Sequence, residues 1–408
     1  MAPQRVFQLS GTCNNYPWGK QGKQSLAAQL CARTPGLDFT IEDDKYYSEM
    51  WFGDYPDFPA RVLETGEPLA DALKKDQETL LGKKVIEHYD AQLPFLPKIL
   101  SIAKALPLQM HPNKELATKL HKQDSDQFSD PNHKPEIAVA LSKFEVFAGF
   151  KPLADVQRIF TLPILSSYIP KDTSGDWSNE TLREVTRKLL KADDVEVRSI
   201  EEKLQATSVS DLETVGAAHI AELLPRLQGQ YGPGDAGSIV ALTCMNFLTL
   251  DPLDAVYIPA DGIHAYLSGN IVECMARSNN VLNVGFCPSA DRNNVDLFAN
   301  ALTFKSHSKE DVMLPKQKSE RSSTGKTEVY KPELSEFDML IAGLKAGESD
   351  VIRAGEGPGV MIVTQGTGKM TANGQEFELK EGYIYFIAPG VETKWETETG
   401  MQIFEAVI

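Results

Sequence analysis

An uninterrupted block of helical text stands between two regions written as strands, and this break in texture constrains the fold more than any other feature of the chain. From residue 151 to residue 234, PLADVQRIF, SNETLREVTRKLLKA, VRSIEEKLQA and SDLETVGAAHIAELLPRLQGQ carry apolar residues at helical spacing, with Ser and Asp in capping positions. The block ends in the turn text QYGPGDAG. Before it, PFLPKILSIAKALPLQMHP and PEIAVALSKFEVFAGF run apolar or alternate in short β-favouring segments, after a helix-like DALKKDQETLLGKK. After it, SIVALTCMNFLTL, AVYIPADG and HAYLSGNIVECMA return to strand text, and KQKSERSSTGKTEVY reads as an exposed loop or linker. GVMIVTQGTGKM, QEFELKEGYIYFIAPG, TKWET and MQIFEAVI then follow as short strands parted by turns, a spacing that suggests a sandwich or barrel such as a jelly roll. The chain is therefore expected to be mainly β with a helical insertion.

The 408 residues suffice for two or three domains, and an apolar fraction of 42% is that of a globular protein. A net charge of −16 argues against nucleic acid or an anionic membrane as partner, and an anionic substrate would need local basic residues. Five scattered cysteines, Cys13, Cys31, Cys244, Cys274 and Cys287, form no CxxC and fit a reducing compartment. The start MAPQRVFQLSG lacks the apolar core of a signal peptide, and no run of about 18 apolar residues occurs. The expected location is the cytoplasm.

Three places hold metal-ligand residue types. Gln109 and His111 in LPLQMHPNK are two residues apart, which on a strand puts both side chains on one face. Glu136 opens the strand-like run of DPNHKPEIAVAL, two residues after Lys134, and His264 follows the PADG turn at a strand start. One amide oxygen, two imidazoles and a carboxylate make a mixed N/O site that suits zinc, with a position left for water or substrate. His88, His121, His219 and His307 lie in helix-like or loop text and are assigned no role.

NNYPWGK, KALPLQMHPNKELA, DPNHKPEIAVAL with its FAGF, and PADGIHAYLSGNIVECMA are long and ordered as in one family. Over most of its length the chain resembles the type I mannose-6-phosphate isomerases, zinc enzymes of the cupin superfamily. The resemblance implies one zinc ion per chain, bound by Gln109, His111, Glu136 and His264. It also implies two cupin-type jelly rolls plus an α-helical domain. The catalytic roll would occupy residues 1–150 and 235–315, the helical domain residues 151–234, and a C-terminal roll without a metal site residues 316–408. That roll has IAPGVETKW in place of the PADGIH turn, and no histidine follows residue 307.

The family reaction moves a proton between adjacent carbons through an enediol. It needs an electrophile for the developing oxyanion, a base, and cations for the phosphate. Lys134 is placed to assist the metal. Glu273, a carboxylate interrupting the apolar NIVECMA, is the candidate base, because burial raises a carboxyl toward a useful pKa. Tyr266, two residues from His264, is expected on the same face, within reach of a substrate hydroxyl. Trp18 is a candidate pocket wall.

SNNVLNVGFCP departs from the family pattern, approximately SDNVVRAGLTP, at an arginine position filled here by Asn283. Asn279, Asn270, Gly262, Ile263, Pro107 and Met110 depart too, and several of these remove polar groups. A phosphate would lose an arginine and a hydroxyl donor, each charge-assisted contact worth about 1.5–3 kcal/mol. Arg277 and Arg292 are the candidates to compensate. Three readings stand at this stage. One is an isomerase acting on a sugar phosphate. Another is a metal enzyme of the same fold with an unphosphorylated or more apolar substrate. The third is a non-catalytic binding protein.

Overall fold

The computed structural model describes residues 4–333 and 335–408. Two large antiparallel sheets, of ten and eleven strands, a small two-stranded sheet and a run of helices make up most of the described chain. No helix among the described residues is long and apolar enough to cross a membrane.

The ten-stranded sheet is organised about the 13-residue strand His264–Ala276. Its second half pairs on one side with Phe95–Ile102, from Gly269↔Ile102 to Ala276↔Phe95, and on the other with Glu136–Ala140. Its first half pairs instead with Phe144–Phe150, and His264 itself with Gln109. The exchange of partners happens at Gly269, whose φ of +128° is open only to glycine. A Cβ there would sit 2.6 Å from the Lys143 carbonyl oxygen. Both faces of this strand are buried, so NIVECMA is apolar throughout and Glu273 is enclosed with it.

The eleven-stranded sheet is built from the chain after residue 316, with two contributions from the N-terminal region. Val6–Ser10 pairs antiparallel with Ile384–Ile387, and Arg61–Val62 pairs with Val6–Ser10.

Helices run from Leu153–Ile159 to Ala236–Cys244. Capping boxes at Ser178 and Asp193 open Asn179–Leu190 and Asp194–Ala206, as the Ser and Asp signals predict. Leu182, Val185 and Leu189 form one buried face of Asn179–Leu190. Their core is continuous with residues of the sheet, among them Leu108, Met110, Phe147, Leu282 and Phe286. At about 1.5–3 kcal/mol per buried large apolar side chain, this shared core ties the insertion firmly to the sheet.

Two stretches differ from the sequence expectation. SIVALTCMNFLTL is not one strand: Ala236–Cys244 is a helix buried on all sides, and only Met245–Leu250 is extended. An apolar run enclosed all round carries no periodicity to tell helix from strand. KQKSERSSTGKTEVY is not a free linker, since Lys316–Lys318 and Thr327–Tyr330 pair in the sheet. The buried Asp350 carboxylate holds the turn between them through Ser322, Thr324 and Thr327.

Candidate metal centre and substrate cavity

Three segments far apart in sequence meet where the central strand begins. His264 opens it, Gln109 lies directly across on Leu108–Met110 with His111 just beyond, and Glu136 opens its own strand. His111, Glu136 and His264 are buried, and their ligand atoms lie within 4.8 Å of one another. This is the one such group of three or more His, Cys, Asp or Glu residues among the described residues.

Each imidazole is oriented by a backbone carbonyl. His111 Nδ1 donates to Asn280 O at 2.8 Å and His264 Nδ1 to Gly262 O at 3.0 Å. The Nε2 atoms are left buried with no hydrogen-bond partner, 3.2 and 3.5 Å from the Glu136 carboxylate oxygens. Burial lowers the pKa of both rings, that of His264 to about 4, so both Nε2 lone pairs are free at neutral pH. Buried, orphaned nitrogens facing a carboxylate, with carbonyls fixing the opposite ring nitrogens, are what a zinc site requires. Gln109, half-buried, pairs in register with His264, which puts its amide on the same face.

Ionised groups surround this set. Lys134 Nζ is 3.3 Å from Glu136 Oε1. Although burial opposes ionisation, Lys134 and the two imidazoles hold the Glu136 carboxyl well below the usual carboxylate range. Tyr266 faces the same side as His264, as expected, with ring centroids 5.7 Å apart. Its hydroxyl donates to Glu136 Oε2 at 2.9 Å, so it orients the Glu136 carboxylate.

Glu273 is buried, and burial, reinforced by the charge of Glu136 and opposed by Lys98, pushes its carboxyl up to about 8. Lys98 Nζ lies 3.7 Å from Glu273 Oε2 and 4.1 Å from the Trp51 ring centroid. Glu49 completes this second group, accepting from Asn14 Nδ2 at 2.9 Å and Trp51 Nε1 at 2.5 Å. Sequence reasoning missed Lys98 and Glu49. Their signal is the one that revealed Glu273: a charge inside an apolar strand, here in PFLPKILSI and in SEMWF.

A cavity of about 640 Å³ opens beside Asn283, which is paired in register with Gln109. Trp18, Pro107, Asn283 and Arg292 line it, together with Lys104 and Tyr231, which sequence reasoning also missed. Asn283 donates its backbone N–H to Asn293, and its Oδ1 is buried without a partner. Another cleft of about 580 Å³ lies against the Pro259–Gly262 turn; none of the four candidate donor residues lines either cavity, and it is the Asn283–Gln109 pairing that ties the first to the candidate metal centre.

Arg277 does not join the cavity, contrary to expectation. Its guanidinium pairs with Asp54 and lies 5.1 Å from the Tyr55 ring centroid, in a separate cleft. Asp54 is only 2% exposed, and a buried carboxylate of that kind holds its counter-charge strongly.

Comparison with known proteins agrees with this geometry. Residues 6–153 match the family model of the phosphomannose isomerase type I catalytic domain. The mannose-6-phosphate isomerase of Aspergillus fumigatus is 34% identical over 99% of this chain and 96% of its own length. That of Saccharomyces cerevisiae is 33% identical over 97% and 96%. Among solved structures, the apo mannose 6-phosphate isomerase of Salmonella typhimurium superposes with a TM-score of 0.80 at 21% identity, covering 99% of both chains. A mannose 6-phosphate isomerase bound with zinc and yttrium gives the same values. With full-length relatives above 30% identity and a buried His–Glu–His cluster in place, the chain belongs to the mannose-6-phosphate isomerase family.

Proposed function

We infer that the chain is a zinc-dependent aldose–ketose isomerase that interconverts mannose 6-phosphate and fructose 6-phosphate. The observation that carries this reading is the buried His111–Glu136–His264 cluster with its two orphaned Nε2 atoms. Gln109, His111, Glu136 and His264 hold one zinc ion. When bound, the ion supplies a Lewis acid that polarises the substrate's carbonyl and hydroxyl oxygens.

The remaining steps belong to the chain's own groups. Glu273 takes the proton from C2 of the aldose and returns it to C1 of the enediol, while the O2 hydroxyl proton passes to O1. Lys134 lowers the cost of charge on the substrate oxygens. Tyr266 keeps Glu136 in place. Trp18 walls the cavity, Asn283 offers its amide to sugar hydroxyls, and Arg292 with Lys104 holds the phosphate. Arg277 has no part in this reading. Pro107 lines the cavity, as a more apolar substrate would favour, but two cations line it as well. In this reading the ten-stranded sheet is the catalytic cupin roll, the helices are an insertion, and the eleven-stranded sheet is a second roll without metal.

The test is turnover of mannose 6-phosphate by purified, zinc-loaded protein in a coupled assay. Activity well above that of His111→Ala is expected. Turnover indistinguishable from that variant sinks the reading.

A further inference from the structure

The two cations of the cavity belong to different walls, yet each is held by a residue near the end of the helical insertion. Lys104 Nζ lies 3.9 Å from the Tyr231 ring centroid. Arg292 Nη2 lies 3.3 Å from Asp235 Oδ2 and donates to the Cys287 carbonyl, also at 3.3 Å. The same short stretch grips the backbone of both walls. Gln230 Oε1 accepts from the Ala105 N–H at 3.1 Å, and the Tyr231 hydroxyl donates to the Ala105 carbonyl. Asp235 Oδ2 accepts from the Phe286 N–H at 2.7 Å, while Oδ1 caps Ala236–Cys244 through Gly237 N–H at 2.8 Å.

We propose that Tyr231 and Asp235 are positioning residues through which the helical insertion builds the anion end of the cavity, aiming Lys104 and Arg292 at the substrate's phosphate. This rests on the sugar-phosphate reading above. Asp235 is 2% exposed and engages one edge of the guanidinium, through Nη2. Asp235 and the Cys287 carbonyl both engage Nη2, which leaves the other terminal nitrogen of the guanidinium to an incoming anion. Long cationic side chains lose much rotamer entropy when they are held in one position. A ring under one cation and a carboxylate beside the other remove part of that cost before substrate arrives. The arginine missing at Asn283 is thus replaced by cations held from the insertion.

The test compares zinc-loaded wild type with Asp235→Ser, Tyr231→Leu, Arg292→Ala and the Asp235→Ser/Arg292→Ala pair, using mannose 6-phosphate. Serine retains a helix cap and removes the charge, which guards against simple unfolding. Asp235→Ser and Tyr231→Leu are expected to raise KM about tenfold or more, with kcat changed far less and zinc content unchanged. The double variant should have a KM no higher than Arg292→Ala alone, because Asp235 acts through Arg292. Multiplying effects in the double variant, or a loss confined to kcat, overturns the assignment. An unaltered KM in both single variants, beside an active wild type, overturns this inference alone. A wild type no better than His111→Ala overturns both it and the proposed function.

Discussion

At the residue scale, the site depends on charges taken out of water together. Lys134, Lys98, Glu136, Glu273 and Glu49 are all buried, and none would persist as an isolated ion. Burial first, and then the fields of these neighbours, sets the ionisation of the candidate base. A carboxyl raised to about 8 is mostly protonated at neutral pH, so the base form accumulates as pH rises. The kcat/KM profile is therefore expected to climb about tenfold per pH unit below that value. Glu273→Gln should flatten this limb and lower the rate by about 10²–10⁴. Linkage gives a second readout of the same group. A raised folded pKa contributes stability that is present below the ordinary carboxyl value of 4.5 and is lost as pH rises through about 8. Denaturant titrations should show wild type losing stability relative to Glu273→Gln over that window. A parallel pair of curves would exclude the assigned ionisation.

At the scale of elements, the helix Ala236–Cys244 meets the strand Leu282–Gly285 backbone against backbone. A Cβ on Gly285 would sit 2.6 Å from the Gly237 Cα, and one on Gly237 would sit 2.5 Å from the Gly285 Cα. No side chain there can move to make room, so Gly285→Ala is expected to destabilise by about 1–3 kcal/mol. It should also raise KM, because the strand carries Asn283 and leads into Arg292. Thermal denaturation with parallel kinetics checks this, and an unchanged melting temperature would contradict the contact. The strands Gly359–Ala372, Thr393–Glu396 and Met401–Val407 were legible because turns bound them on both sides. The helix Ala236–Cys244 was not, because complete burial erases the amphipathic period.

At the scale of the molecule, zinc held at this site would join segments that are otherwise distant. Glu136 comes before the insertion and His264 after it, and the ion would crosslink both to the Gln109–His111 strand. A ligand that binds only the folded state stabilises it by about 4 kcal/mol at a thousandfold excess over Kd. Treatment with a chelator is therefore expected to lower the melting temperature, and zinc to restore it. In His111→Ala both effects should shrink.

The sequence by itself determined the candidate donor residues, the helical interruption and the family, because period, capping and long ordered motifs are written locally. Glu273 was also readable as a charge inside an apolar strand. The tertiary structure alone decided which arginine shares a cavity with Asn283. Arg277 and Arg292 look alike in sequence, as solvated side chains near a turn. Only the fold places buried Asp54 beside the first, and Asp235 with the cavity beside the second. A long flexible side chain goes where a buried counter-charge holds it, and each of these counter-charges lies more than fifty residues from its arginine in sequence.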